Sequence, residues 1–187
     1  DNIYRCYFWM AYGGIDEDDT IFIRNEDVDF SEMIIRYKTI SVPIYREALP
    51  AFRNAVNLTS FVYRHPNYSK TIRRDRVPGD TIMRGIKAVT KTFTMRATLS
   101  KRNIKAVEEG KTDMQLSFYR VRMSGLFYRI YEMERAGIAP NFSDAALRVM
   151  DGKTYSLKGR EKIEHKQNRI ERDYMEDYQR WKLAFSI

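Results

Sequence analysis

DMQLSFYRVRMSGLFYRIYEMERAG, residues 113–137, decides the fold class. Met114, Phe118, Val121, Met123, Leu126, Phe127 and Ile130 fall on nearly every side of a helix, leaving little room for a polar face. Such a helix is buried in a core or shared with a partner. Thr112 and Asp113 open it, and Gly137 is a good residue to end it. Gly125, beside Ser124, lets another backbone approach closely. The anomaly is three arginines, Arg120, Arg122 and Arg129. An arginine on a core helix needs a carboxylate, a carbonyl or a phosphate. Arg122 and Arg129 share a side, and either form internal ion pairs or floor a groove.

Outward from this helix the pattern stays helical. DFSEMIIRYKTI (29–40) reads as a helix capped by Asp29 or Ser31. PIYREALPAFRNAVNLTSFVYRH (43–65) reads as two helical pieces broken or kinked at Pro50. HPNYSKTIRRDRVPG (65–79) is a loop, bracketed by Pro66 and by Pro78-Gly79. Asp80 then caps a helix through about Met95, and SKRNIKAVEE continues helically to Gly110. Beyond the central helix come a short helix, SDAALRVM, and a turn or hairpin, DGKTYSLKG. A long helix follows from Arg160 to Phe185. Near the start, residues 1–12 read as the end of a helix or a buried strand, GGIDEDD as a polar turn and TIFIR as a short strand. The expectation is a mainly α fold: a single helical domain over 1–158 with a minor β element near its N-terminus, then a long C-terminal helix over 159–187.

Charge is unevenly spread along the 187 residues. Residues 1–68 carry seven basic and ten acidic groups, residues 69–122 fourteen and five, and residues 123–187 twelve and ten. The middle third thus accounts for the whole net charge of +8. Clustering of this kind marks a surface that meets an anionic partner. On a helix over 80–95, Ile82, Ile86, Val89 and Phe93 form an apolar stripe, with Arg84, Lys87 and Lys91 opposite. Lys70, Arg73, Arg74 and Arg76 lead into that ridge, and Arg96, Lys101, Arg102 and Lys105 follow it. Apart from Asp80, four residues before Arg84, no acid stands three or four residues away to neutralise the ridge. Counterion release from a polyanion rewards such a cluster, the arginine fork suits phosphate oxygens, and Tyr68 is placed to stack on a base. The nucleic-acid candidates are therefore Tyr68, Lys70, Arg73, Arg74, Arg76, Arg84, Lys87, Lys91, Arg96, Lys101, Arg102 and Arg122. A solvated face, or one that meets acidic protein, is the competing reading.

On the terminal helix Ile163, Ile170, Tyr174, Trp181 and Phe185 form a stripe, spaced seven, four, seven and four. It packs on its own chain or lies in a groove of a neighbouring copy. The aromatic N-terminus is a second candidate bridge between copies.

Chemistry-bearing residues are sparse. His65 and His165 lack metal-ligand spacing, and Cys6 sits in an aromatic stretch that suggests packing. Asp16–Asp19 is an acidic turn of the kind that binds a hard cation or simply faces solvent. There is no phosphate-cradling glycine loop. No enzyme, cofactor or metal is expected. One cysteine excludes an internal disulfide, and no apolar run approaches a membrane span or has the plan of a secretory signal. The chain opens on Asp1 and reads as a processed product or the core of something longer.

VDFSEMIIRYKTISVPIYREALPAFRNAVNLTSFVYRHPN (28–67) resembles the core of potyvirus-type coat proteins of flexible filamentous plant viruses. The matching positions are Asp29 and Phe30 before a helix, then Pro43, Tyr45 and Arg46 leading a second helix that ends near Arg64 and Asn67. Residues 8–10, Phe-Trp-Met, are similar to that family's Val-Trp-Cys segment. MSGLFYRIYEMERAGIAPNFSDAALRVMDGKTYSLK (123–158) resembles an overlapping part of the same pattern, so the two placements are alternatives. The family's Ala-Phe-Asp-Phe signature has no counterpart, and no RNA pocket is carried over. The resemblance implies a helical fold that wraps single-stranded RNA and polymerises through terminal arms, in a virion or host cytoplasm. The alternative is a non-catalytic interaction subunit of a large complex.

Overall fold

The computed structural model describes residues 2–38, 40–64, 71–85, 91–140, 142 and 160–186. The fold is mainly α with a small antiparallel sheet near the N-terminus and a long C-terminal helix. Its helices are α1 (Asn2–Gly13), α2 (Leu49–Asn57), α3 (Thr92–Glu108), α4 (Phe118–Arg135) and α5 (Arg160–Phe185). The strands are β1 (Val28–Asp29), β2 (Ile34–Tyr37), β3 (Ile40–Pro43), β4 (Ser60–Arg64) and β5 (Thr71–Asp75). Two compact units divide between Met123 and Ser124. The domain boundary expected at 158/159 lies outside the described residues.

In the first unit α1 buries Cys6, Tyr7, Met10 and Ala11, one face of a helix. It stops by a Schellman arrangement at Gly14, whose φ is 107°. The Ile15 N–H donates to Met10 O at 3.0 Å and the Gly14 N–H to Ala11 O at 2.9 Å, after which Ile15 drops into the core. Phe52, Ala51 and Ala55 of α2, Ile35 of β2, Val42 of β3, and Met95 and Phe118 join the same core. Pro50 does not break α2; it occupies the first turn, where its missing N–H costs nothing.

Residues 34–43 overturn the helical expectation for that stretch. Ile34, Ile35, Tyr37, Ile40 and Val42 are β-branched or aromatic, and the chain reverses near Lys38, whose φ is 52°. Ile35 pairs with Val42 and both are buried, so one face of the β2–β3 hairpin meets the core. Residues 60–64 and 71–75, expected as helix and loop, are likewise a hairpin, with Phe61 opposite Arg74 and Val62 opposite Arg73. TIFIR is not a strand: a 3-10 turn covers Glu17–Phe22, and only Arg24 bridges to Thr81.

The helix expected over 80–95 is absent from 80–85. There the backbone is tied to residues 23–25, with Ile82 N–H donating to Ile23 O at 3.0 Å and Asn25 N–H to Asp80 O at 2.6 Å. Ile82 and Met83 are fully buried, while Phe93 is 76% exposed at the start of α3. The stripe drawn through both on one helix therefore does not exist. Tertiary burial of two adjacent apolar residues overrode a helical pattern.

In the second unit the later turns of α4 meet α5. Phe127 lies 6.0 Å from Tyr178 and 6.3 Å from Trp181, ring centre to ring centre. The Trp181 indole N–H donates to Ser124 Oγ at 3.1 Å, and the Tyr178 hydroxyl to Glu134 at 2.5 Å. Among the described residues no helix is long and apolar enough to cross a membrane.

Gly13 gives a test of the first unit's packing. A Cβ there would collide with Val42 Cγ1, and Val42 is buried. Gly13→Ala should lower stability by about 1–3 kcal/mol, because overpacking outweighs the better helix propensity. Denaturant unfolding measures it, and an unchanged midpoint contradicts the packing described.

Candidate nucleic-acid interface

The basic side chains of the middle third go to three different places. The first is the interior. Arg76, 7% exposed, follows β5 and reaches under the C-terminal end of α2. Its guanidinium donates to Ala55 O at 2.5 Å, Leu58 O and Ile82 O at 2.9 Å, and Arg84 O at 3.1 Å. The plane also stands 5.5 Å from the Phe61 ring. Burial lowers its pKa from the usual arginine value, and the Arg84 charge adds to that. It nonetheless remains a cation. Arg84 donates to Gly79 O and to Val56 O, the latter at 3.3 Å, while its Nε is buried without a partner. Both arginines satisfy carbonyls left open at a helix C-terminus, where positive charge also suits the helix dipole. Neither is a phosphate ligand, which corrects the expectation for both.

The second place is the acidic turn. Asp16 pairs with Arg122 at 2.9 Å, and Glu17 with Arg96 at 2.5 Å. Asp18 lies 3.5 Å from Arg96 and accepts from Thr92 Oγ1 at 3.2 Å, while Asp19 pairs with Lys38 at 2.8 Å. Asp16 and Asp18 stay exposed to solvent, as an acidic turn of this kind suggests, while Glu17 and Asp19 are half-buried, and all four also meet cations of their own fold. The turn is thus the internal counter-charge that ties α3, α4 and β2's end to the end of α1. Tyr7, in the core, also donates its hydroxyl to Glu17. Burial pushes the Tyr7 hydroxyl's pKa well up, and the bond to Glu17 pushes it further. For Glu17 burial acts upward, but the bonds from Arg96 and Tyr7 outweigh it and leave the carboxyl below its usual range. Arg96 and Arg122, expected in an RNA groove, are occupied here.

The third place is solvent. Arg73 and Arg74 are exposed on β5, and among the described residues the one carboxylate near Arg73 is Asp75, at 3.9 Å. Lys91, just before α3, and Lys101 within it are exposed, and no carboxylate pairs with them among the described residues. Arg102 lies over the Tyr4 ring at 4.5 Å. Tyr68, Lys70 and Lys87 lie outside the described residues. The structure therefore brings Arg73 and Arg74 together on one ribbon and assigns Arg76, Arg84, Arg96 and Arg122 to other work. The hairpin itself was missed. Its signal was present as aromatic and β-branched residues, SFVYR and TIRRD, on either side of Pro66-Asn67.

Among the candidate intersubunit residues that are described, Tyr174 and Trp181 take the alternative of packing on their own chain. Tyr174 is buried, and Trp181 packs on its own α4. Phe185 is 60% exposed with its ring 5.1 Å from Trp181. The side chains of Ile163 and Ile170, like those of both histidines, lie outside the described residues. The aromatic N-terminus packs within the fold, Trp9 lying 5.9 Å from Tyr45 and Tyr7 4.7 Å from Phe118. Cys6 is fully buried; burial pushes its thiol up to about 12, against a smaller opposing pull from Arg76. It is not a nucleophile at neutral pH. Among the described residues no group of three or more His, Cys, Asp or Glu is placed to hold a metal. Comparisons with protein-family models, curated proteins and solved structures found no match for this chain.

Two measurements check this division. Arg76→Met should destabilise the fold by about 3–5 kcal/mol, because it strands four carbonyls at once; retention of near-native stability in denaturant titration contradicts the capping role. Glu17 titrates below its usual range in the fold, so its contribution is present at neutral pH and lost as pH falls through the folded value. Thermal midpoints should drop between pH 5 and 3, and Glu17→Gln should flatten that drop.

Proposed function

We propose that the chain is a structural nucleic-acid-binding protein, a coat or nucleocapsid-type subunit that holds single-stranded RNA through phosphate contacts and assembles with copies of itself. The observation that carries this reading is the β4–β5 ribbon. Arg73 and Arg74 are adjacent on β5, so their side chains leave opposite faces of the ribbon, and both are exposed. Each stands across from an apolar residue, Val62 at 64% exposure and Phe61 half-buried. An arginine fork beside an apolar surface suits a backbone phosphate with its base lying alongside. Lys91 and Lys101 add exposed positive charge. Such contacts position a strand without reading it, so sequence preference is weak. The resemblance to filamentous plant-virus coat proteins points the same way at Pro43, Tyr45 and Arg46, which lead into α2. It fails at Asp29 and Phe30, which precede a strand, and at Arg64, which lies in β4 rather than at the end of α2, while Asn67 lies outside the described residues.

The test is affinity for single-stranded RNA across a salt series. Binding should weaken steeply with salt, and Arg73→Glu with Arg74→Glu should reduce the slope by about 1 to 2. Both side chains are exposed, so the fold should survive. A flat salt dependence, or an unchanged slope in the double variant, rules the ribbon out. Electron microscopy of the purified chain with RNA should show filaments or shells rather than discrete particles.

A further inference from the structure

The turn after α1 grips α3 by one end. Its own backbone is set in the core. Ile15 and Thr20, on either side of the four acids, are fully buried, and Thr20 Oγ1 donates to Glu17 O at 2.7 Å. Glu17 then reaches two ways. One carboxyl oxygen accepts from the hydroxyl of Tyr7, a fully buried residue of α1. The other meets the Arg96 guanidinium of α3 at 2.5 Å. Asp18 adds a longer pair with Arg96 at 3.5 Å and accepts from Thr92 Oγ1 at 3.2 Å. The neighbouring acids serve other elements. Asp16 meets Arg122 of α4 at 2.9 Å. Asp19 meets Lys38 at 2.8 Å and accepts from the Tyr37 hydroxyl at 3.4 Å, at the end of β2.

Beyond its first turn α3 is held more thinly. Met95 is fully buried, whereas from Ala97 onward every residue of the helix is exposed or half-buried. Arg102 lies over the Tyr4 ring at 4.5 Å, and the Asn103 side chain bonds Leu116 in the loop that follows. None of these groups changes charge between neutral and acid pH. The turn cannot follow α3 outward, because Ile15 and Thr20 anchor it. Loss of charge at Glu17 therefore acts on the helix rather than on the turn.

We propose that Glu17 is an acid-operated clasp for α3: when it takes up a proton the helix lifts from the body by itself, while α1 and α2 stay folded. Protonation removes the charge that Arg96 meets most closely and leaves it the longer pair with the exposed Asp18. Burial acts upward on Glu17, but the bonds from Arg96 and Tyr7 outweigh it and hold its pKa below the usual range. The clasp is thus shut at neutral pH and opens as pH falls through the folded value. Opening brings Met95 and Arg96 to solvent, so acid exposes an apolar side chain and releases a cation that neutral pH keeps bound. The device is separate from the ribbon and does not depend on RNA binding.

Amide hydrogen exchange on the whole chain tests this, read by mass spectrometry and corrected for the intrinsic rate at each pH. From about pH 7 to about pH 3.5 the protection of α3 should fall at least about tenfold more than that of α1 and α2. Glu109, at the far end of α3, pairs with Lys105 and Lys111 and also titrates, so variants locate the cause. Glu17→Gln keeps an acceptor for Tyr7, and its α3 should be weakly protected already at about pH 7, with little further loss in acid. Arg96→Gln, at an exposed position, should weaken α3 in the same way while Tyr7 and Glu17 stay in contact. The double variant should be no worse than either single one, as expected of two halves of one contact. Equal loss of protection across α1, α2 and α3 overturns the proposal. So does an α3 whose protection either variant leaves unaltered, or a Glu17→Gln chain that keeps the full acid response.

Discussion

A buried positive charge with no carboxylate beside it holds the first unit together. Arg76 is neutralised by geometry rather than by an ion pair: four backbone carbonyls converge on one guanidinium. Two of them, from Ala55 and Leu58, belong to the open end of α2, and the other two to the segment 82–84. The same side chain therefore ends a helix, shapes the turn after β5 and joins the two. A two-stranded ribbon on its own is at best marginal in water. Here the base of the β4–β5 ribbon is fixed because Arg76 follows its last strand directly, with its N–H donating to Thr59 O at 2.8 Å. A lysine, with one point charge, cannot meet four acceptors in a plane.

The second constraint is the acidic turn. Its four carboxylates meet cations drawn from three separate stretches of chain, which sets how the N-terminus of α3 and the start of α4 lie against α1. Of the seventeen-residue span of α3, only the first turn is held this way, by Arg96 and Thr92. The rest of its outward face is left to solvent. Net charge along a sequence thus overstates what a partner can reach. Two of the middle third's cations, Arg96 and Arg122, are matched by acids of the first, folded against it. What reaches solvent unmatched among the described residues is small and local, and it sits at the ribbon and along α3.

The helices were legible where the apolar period was strong, as in the body of α4, the end of α3 and α5, but not at the start of α4, where Thr112 and Asp113 stand in the loop and the helix begins at Phe118. They were not legible where two β-branched residues in a row satisfied either period. Ile34-Ile35 fits a helix face as well as a strand, and only the pairing of Ile35 with Val42 decides it. Residues 80–85 failed for a different reason. Asp80 looked like a cap, but its carbonyl is an acceptor for Asn25, a partner 55 positions away that no local pattern contains. The basic cluster was visible, yet its use was not. An arginine in sequence carries no mark of whether it will meet water, an acid or a helix end. Arg73 and Arg76 are three residues apart and have opposite fates because the strand ends between them.

That contrast explains how one basic region can hold two surfaces with different demands. The ribbon offers charge with little apolar area, which favours a partner that stays hydrated and bound through its phosphates. Helix α3 instead leaves Phe93, Ile104 and Val107 exposed beside Lys101. Hydrophobic burial changes little with salt, whereas phosphate contacts weaken steeply, so salt acts on the two surfaces unequally. A nucleic acid held at the ribbon, as proposed, would leave the pair of Arg96 with Glu17, which fixes the start of α3, untouched.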